Sequence, residues 1–153
     1  MAIPARLSWA VEVLQPRPGE QILELGCGNG VAVQLVCDSG ATVTAVDRSA
    51  TAIAAATARN AGRARLIHGT LADVDGVYDK VFAVNVNLFW VRSPAPELRL
   101  LDDLLARDGE LYLFYEPPAD RPLGEKVGAV LAEHGYQVAV TSRPPLVCVR
   151  GRR

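Results

Sequence analysis

Hydrophobic residues follow two patterns that alternate along the chain. Short apolar runs typical of buried strands are separated by segments in which apolar residues recur at helical spacing. In the first helical segment, about residues 3–14, Leu7, Val11 and Leu14 fall on one face. Alternation of strand and helix is typical of a parallel sheet covered by helices. The pattern therefore predicts an α/β fold.

The apolar runs predict seven strands, of which the last two follow each other with no helix between them. Such a pair must form a hairpin, so the final strand is expected to run antiparallel to the others. In chain order, the predicted strands are QILEL, ATVTAVD, ARLIHG, KVFAVNV, ELYLFYE, YQVAVTS and PLVCVR.

Capping and helix-ending residues mark the helices between these strands. Gly40 is expected to end the helix that follows the first strand, and Ser49 can cap the alanine-rich helix that follows the second. Two later helices each begin at prolines and end before a glycine, Gly109 or Gly135. The first of these two is therefore expected to extend almost to Gly109.

Length and hydrophobicity favour a single domain. The 153 residues, half of them hydrophobic, suffice for one core that buries roughly two thirds of the unfolded surface. We expect residues 1–18 to form an N-terminal helix and linker, and residues 19–153 the core. The apolar runs are shorter than the ~20 residues that span a bilayer. Neither a membrane segment nor a basic-then-apolar leader is expected.

Net charge and cysteine content bear on whether the protein binds nucleic acid, lipid or metal. Sixteen basic and seventeen acidic residues give a net charge of -1, so no overall field attracts nucleic acid or anionic lipid. Cys27, Cys37 and Cys148 lack the spacing of a zinc site or a disulfide framework. We expect free thiols in a reducing cytoplasm, and no metal site.

The stretch ILELGCGNG places three glycines directly after the first predicted strand. Gly26, Gly28 and Gly30 permit a tight turn and let a ligand lie on the main chain, near the first amides of the next helix. Asp47 lies 21 residues after Gly26, at the end of the second strand. A carboxylate there can accept hydrogen bonds from both hydroxyls of an adenosine ribose. Together these features predict a nucleoside site.

Val31 and Glu24 distinguish between two ligands that use such a site. The dinucleotide fingerprint GxGxxG requires a glycine at position 31, where this chain has valine. Glu24, just before the loop, opposes a pyrophosphate but suits a cation. S-adenosylmethionine has no phosphate and carries a positive sulfonium and an ammonium group, so both residues favour it over a dinucleotide.

With these motifs, the sequence resembles the class I S-adenosylmethionine-dependent methyltransferases from about Gly19 to Val149. ILELGCGNG matches the first motif of that family, VTAVDRS the acidic second motif, YDKVFAVNV the fourth and LLARDGELYLF the fifth. The resemblance implies a Rossmann-like, doubly wound, three-layer α/β/α fold. Its seven-stranded sheet would have the order 3-2-1-4-5-7-6, with strand 7 antiparallel.

The resemblance also implies that the cofactor is S-adenosyl-L-methionine and that its methionine portion lies on the glycine loop. Glu24 would support that end of the cofactor. The residues implied there are Glu24, Gly26, Cys27, Gly28 and Gly30.

At the nucleoside end, the resemblance implies that Asp47 holds the ribose and that Arg48 or the serine after it flanks the adenine. The family often has an acid after the third strand, where it bonds the adenine amino group. Here Thr70 and Leu71 take that place. Asp73 could reach the amino group if the loop bends; the alternative is a solvated turn residue.

The fourth motif bears on the acceptor. Enzymes that methylate exocyclic amines of DNA bases carry Asn or Asp followed by Pro-Pro and an aromatic, whereas this chain has NVNLFW. The motif therefore gives no support for a base-amine methyltransferase. Asn85 is expected beside the cofactor; the alternative is that Asn85 and Asn87 cap the end of the strand and bond to loops. Candidate substrate contacts are Asn87, Phe89, Trp90, Tyr115 and Glu116.

These substrate contacts have alternatives. Phe89 and Trp90 could pack under the following helix, and Glu116 could be a general base or a solvated acid at a strand end. No catalytic residue is assigned, because an activated methyl donor needs mainly positioning and desolvation.

We expect methyl transfer to a small-molecule acceptor. A site with so few additional elements is either open to a large acceptor or closed by a second subunit, as in a homodimer. The alternative functions are a nicotinamide-dependent oxidoreductase and a non-catalytic S-adenosylmethionine-binding module.

Overall fold

The computed structural model describes residues 2–87, 93–117 and 122–153. The strands in these residues are β1 Gln21–Leu25, β2 Thr42–Asp47, β3 Arg65–His68, β4 Tyr78–Val84, β5 Leu105–Tyr115, β6 Gln137–Arg143 and β7 Leu146–Arg152. They form a seven-stranded sheet of order β3-β2-β1-β4-β5-β7-β6. β7 runs antiparallel to β5 and β6, and the other neighbouring pairs are parallel. The predicted Rossmann-like fold, strand order and antiparallel seventh strand are confirmed.

Helices cover both faces of this sheet. They are α1 Ala5–Leu14, α2 Val31–Asp38, α3 Ala50–Asn60, α4 Ala95–Leu104 and α5 Leu123–Glu133. Between β3 and β4 the chain makes only a short 3-10 turn, Leu71–Asp73. Within the described ranges, every helix is too short or too polar to cross a membrane.

Two hydrophobic cores lie on opposite faces of the sheet. α1, α2 and α3 pack on one face around Ile22 and Phe82, and α4 and α5 pack on the other around Leu23 and Val81. Ile22 and Leu23 belong to different cores because successive side chains of a strand point to opposite faces. Glu24 therefore points to the same face as Ile22, toward the helices that flank the glycine loop.

The first helix begins two residues later than the predicted start near Ile3. Pro4 occupies the N-cap of α1, and its carbonyl accepts hydrogen bonds from the N–H groups of Leu7 and Ser8 at 3.0 and 3.2 Å. Proline is tolerated there because the first amides of a helix have no intrahelical partner. Trp9 of α1 packs edge-to-face on Phe114 with ring centroids 5.8 Å apart, which fixes α1 beneath β5.

The prediction of a helix reaching almost to Gly109 is wrong. α4 ends at Leu104, and Leu105 already pairs with Tyr78 of β4 as the first residue of β5. The next pair joins Glu110 to Lys80. Residues 106–109 of β5 therefore bulge out opposite the one residue of β4 that lies between Tyr78 and Lys80. Leu105 is buried in the core, and this burial with the strand pairing overrides the helical tendency of the local sequence.

Candidate cofactor site

The glycine loop lies at the carboxyl end of β1, between β2 and the start of α2. The Gly26 N–H donates to the carbonyl of Val46 at 2.8 Å, which ties the end of β1 to β2. Gly30, with φ of 82°, directly precedes α2. A Cβ at Gly30 would lie 2.8 Å from the Cβ of Ala56 on α3. Glycine is required here both by the backbone conformation and by the contact with α3.

Asp47 connects this loop to the start of α3. Its Oδ2 accepts a hydrogen bond from the Gly28 N–H at 2.9 Å, and its Oδ1 accepts one from the Ser49 N–H at 2.8 Å. Ser49 in turn caps α3, because its hydroxyl accepts from the Ala52 N–H at 3.1 Å. A carboxylate oxygen can accept more than one hydrogen bond, so Asp47 retains capacity for hydroxyl donors.

Glu24 is the most unusual group of the site. It is buried, with 2% of its surface exposed, and its Oε1 has no hydrogen-bond partner among the described residues. Burial, and then the nearby charge of Asp47, raises the pKa of Glu24 from the ordinary 4.5 to about 8. A carboxyl group in this position holds a proton near neutral pH unless a cation compensates its charge.

Cys27 lies in the glycine loop but is not an activated nucleophile. Burial, together with the negative charges of Glu24 and Asp47, raises the pKa of the Cys27 thiol to about 12. The thiolate is the nucleophilic form of cysteine, and it is negligible at neutral pH with such a pKa. The small thiol therefore fills space in the loop.

The loop after β3 bends back on itself. Asp73 Oδ2 accepts a hydrogen bond from the Thr70 N–H at 2.7 Å, and its Cγ would lie 2.9 Å from a Cβ placed on Gly69. Asp73 therefore closes this turn, and its contact with the adenine amino group stays a prediction. The Leu71 side chain is buried in the core beneath α4. Arg48 is exposed, and its carbonyl lies 3.1 Å from His68 Nε2.

Asn85 joins the ends of β4 and β5. Its φ is 56°, in the left-handed region that asparagine tolerates better than most residues. Its N–H donates to the Phe114 carbonyl at 2.8 Å, and its Oδ1 accepts from the Glu116 N–H at 2.9 Å. These bonds place Asn85 at the same edge of the sheet as Asp47.

The predicted substrate contacts differ in their surroundings. Tyr115 is buried, and its hydroxyl donates to the Val86 carbonyl at 3.1 Å. Asn87 and Glu116 are exposed at the sheet edge. Phe89 and Trp90 lie outside the described residues.

Two residues of α3 that the sequence analysis did not assign also contact the glycine loop. Asn60 Nδ2 donates to the Gly30 carbonyl at 3.2 Å, and Arg59 Nε donates to the Asn29 carbonyl at 3.2 Å. In the sequence, Asn60 was recognisable only as a residue that ends a helix. The single signal for a wider role is an amide side chain in an alanine-rich segment.

Sequence comparison assigns the family. Residues 22–109 match a family model described as a methyltransferase domain, and this match covers more than half of the chain. The chain belongs to the class I S-adenosylmethionine-dependent methyltransferases. The matched residues include the glycine loop, Asp47 and Asn85, which are the strand-end positions described above.

Two curated methyltransferases show the extent of the sequence similarity. Over 75 residues, the chain is 40% identical to ribosomal RNA small subunit methyltransferase H of Sinorhizobium fredii, covering 47% of this chain and 22% of that protein. Over 119 residues, it is 33% identical to the mitochondrial ubiquinone biosynthesis O-methyltransferase of Schizosaccharomyces pombe, covering 71% of this chain and 43% of that protein. The chain thus spans less than half the length of either relative.

A solved methyltransferase structure agrees with the fold. The S-adenosylmethionine-dependent methyltransferase from Aquifex aeolicus superposes with a TM-score of 0.80 at 14% identity, covering 95% of this chain and 88% of that one. At this identity, the likeness supports the methyltransferase fold and carries no information on the acceptor.

Proposed function

We propose that this protein binds S-adenosyl-L-methionine at the glycine loop and transfers its methyl group to a small-molecule acceptor. The observation that carries the proposal is the buried, partly unpartnered carboxyl group of Glu24 beside Asp47. A cationic ligand would stabilise the ionised form of Glu24 and pair with it, whereas a pyrophosphate would be repelled by that form.

The residues of the site fit this cofactor. Glu24 would face its positive groups, and the loop from Gly26 to Gly30 would receive its methionine portion. Asp47 would accept hydrogen bonds from the ribose hydroxyls with the capacity left by its two backbone donors. Arg48, Thr70, Leu71 and Asn85 complete the proposed cofactor set; the buried Leu71 side chain contributes packing to it.

When bound, S-adenosylmethionine supplies a methyl group that is already activated by the positive sulfur. The protein then has to orient the acceptor and exclude water, and these effects alone can supply much of a rate enhancement. Asn85 positions the end of β5 through its bond to Glu116. We assign no general base, and the high pKa of Cys27 argues against covalent catalysis by its thiol.

The proposal of a small-molecule acceptor is supported by the charge of the chain. A net charge of -1 provides no field that would attract a nucleic acid. The curated relatives include a ribosomal RNA methyltransferase and a ubiquinone biosynthesis enzyme, so membership of the family does not determine the acceptor. We further propose that the three free cysteines reflect a cytoplasmic location, and that a second copy of the chain can close the site.

Calorimetric titration tests the cofactor. Wild-type protein should bind S-adenosylhomocysteine and should not bind NAD. Asp47→Ala should weaken S-adenosylhomocysteine binding by at least about tenfold, because charge-assisted hydrogen bonds to the ribose are lost. Asp75→Ala is the matched control, since it removes an exposed acid that pairs with Arg65 away from the site. Binding of NAD without S-adenosylhomocysteine would favour the oxidoreductase alternative and overturn the proposal.

A labelling experiment tests the acceptor class. Protein and methyl-labelled S-adenosylmethionine are incubated with the small-molecule, RNA and protein fractions of a cell extract. Label should enter the small-molecule fraction, and Asp47→Ala should reduce the transfer at S-adenosylmethionine concentrations below its dissociation constant. Transfer to RNA or protein alone would contradict the small-molecule acceptor, and cofactor binding without any transfer would favour the non-catalytic module.

A further inference from the structure

The last turn of α3 contacts the glycine loop at two backbone carbonyls. Two consecutive residues of α3, Arg59 and Asn60, donate hydrogen bonds to the carbonyls of two consecutive loop residues, Asn29 and Gly30, at 3.2 Å each. The donors and acceptors are 30 positions apart in the sequence. This contact therefore results from the tertiary packing of α3 and not from the local turn.

If packing alone mattered, an asparagine at position 60 would make the fold less stable than an apolar residue would. It is 1% exposed, and its Oδ1 has no hydrogen-bond partner within the part of the chain that the structure describes. A buried acceptor without a partner destabilises a fold, whereas an apolar side chain of similar size would not. The hydrogen bonds of Asn60 Nδ2 go to Gly30 and to the Ala56 carbonyl at 2.9 Å. The contact with Gly30 is thus the long-range polar interaction that Asn60 provides.

The loop has no room to move toward α3. A Cβ built on Gly30 would lie 2.8 Å from both Asn60 Nδ2 and Ala56 Cβ. The Gly28 N–H is also held, by Asp47 Oδ2 at 2.9 Å. The loop is therefore held through both kinds of backbone group, an N–H by a carboxylate and two carbonyls by guanidinium and amide donors.

The direction of these carbonyls determines the direction of the amides. In a planar trans peptide, the C=O and N–H groups point in opposite directions. Holding the Gly30 carbonyl against Asn60 therefore directs the N–H of Val31 away from α3. This N–H belongs to the first residue of α2, where backbone amides have no intrahelical partner.

We propose that Asn60 and Arg59 are positioning residues for the cofactor, which hold the glycine loop in the conformation that receives the methionine portion. The inference depends on the proposed binding of S-adenosylmethionine at this loop. Neither side chain is proposed to touch the ligand. Their effect should be confined to the amino-acid end of the cofactor, because the ribose end is held by Asp47.

Two ligands separate this role from a general effect on folding. S-adenosylhomocysteine carries the amino-acid portion, and 5'-methylthioadenosine is the same nucleoside thioether without it. Asn60→Leu removes the donor while keeping the same branching and number of side-chain heavy atoms, and it should weaken S-adenosylhomocysteine binding about three- to tenfold. The affinity for 5'-methylthioadenosine should change less than about twofold, since no contact with the nucleoside is lost. Both constants are measured by calorimetry.

Arg59 provides a second pair of variants in case Asn60→Leu does not fold. Arg59→Met removes the donor, whereas Arg59→Lys retains a long cationic donor and should restore most of the S-adenosylhomocysteine affinity. Thr57→Ala is the control on the same helix, because its exposed hydroxyl donates to the Ile53 carbonyl and does not contact the loop. This control should leave both affinities unchanged.

The outcomes distinguish the inference from the proposed function. Equal losses for both ligands in Asn60→Leu and Arg59→Met, or no loss for either, would refute the positioning role while leaving cofactor binding in place. Failure of the wild-type protein to bind either ligand would overturn the proposed function, and the positioning role with it.

Discussion

Replacing Glu24 by glutamine should change the pH dependence of stability more than any other single substitution in the site. Glutamine has nearly the shape of a protonated glutamate but cannot ionise. Glu24 is buried, and the charged group that raises its pKa further is the carboxylate of Asp47 at the end of β2. The Cys27 thiol in the glycine loop is uncharged at neutral pH and adds no charge beside Glu24.

The expected magnitude follows from the pKa of Glu24. Folding raises it from 4.5 to about 8, so the folded state holds a proton that the unfolded state has lost. The stability contributed by the protonated group is complete below pH 4.5, decreases as the pH rises toward 8, and is lost above it. At about 1.4 kcal/mol for each pH unit, the total loss is at most about 5 kcal/mol.

Urea unfolding of wild-type protein and Glu24→Gln at a series of pH values measures this effect. The two proteins should be similar in stability near pH 5, and the variant should gain up to about 4 kcal/mol over the wild type by pH 9. Glu116→Gln, which changes an exposed glutamate, should show no such trend. A difference between wild type and Glu24→Gln that stays constant from pH 5 to pH 9 would refute the reasoning.

Three further predictions follow from the same structure. Binding of S-adenosylmethionine at pH 7 should release up to about one proton, because the cation stabilises ionised Glu24; calorimetry in buffers of different ionisation enthalpy measures it, and Glu24→Gln should release none. Gly30→Ala should lower the free energy of unfolding in urea by more than about 2 kcal/mol. Gly62→Ala, with a similar φ but open space for its Cβ, should lower it by about 1 kcal/mol. Equal effects would contradict the importance of the Ala56 contact. Tyr136→Phe should leave the unfolding free energy unchanged or raise it by up to about 1 kcal/mol, because the buried hydroxyl has no partner among the described residues; a large loss would contradict this.

The sequence pattern predicted the fold class because buried positions recur at regular spacing along each strand and helix. Strands buried on both faces appear as continuous apolar runs, and the helices between them have apolar faces. The end of α4 at Leu104 could not be predicted in this way. The residues after it are compatible with a helix, and only the pairing of Leu105 with Tyr78 on β4 makes them a strand.

The location of the candidate strand-end residues at one edge of the sheet was predicted for a related reason. Glu24, Asp47 and Asn85 each fall where a predicted strand ends, and the ends of parallel strands lie at one edge of the sheet. Asn60 and Arg59 were missed because their contact with the loop depends on how α3 packs. No local pattern contains that information.

The face of the sheet to which a side chain points is the other feature that the sequence pattern could not predict. Leu71 and Tyr115 occupy predicted site positions, yet both side chains are buried in the core beneath α4 and α5. At the end of a strand, a residue one position away points to the other face of the sheet. The sequence therefore indicates which residues lie at the edge of the sheet, whereas the fold determines the face to which each side chain points.

Asp47 and Glu24, the two acids of the candidate site, require different kinds of ligand group. Each oxygen of Asp47 already accepts a backbone N–H and keeps capacity for one further donor, which suits the two hydroxyls of a diol. Glu24 has a buried oxygen without a partner in the described residues, so it requires a proton or a positive charge. A matching ligand has a diol at one end and a cation at the other. A dinucleotide has the diol but would bring a pyrophosphate toward Glu24, and this difference favours S-adenosylmethionine independently of the glycine spacing.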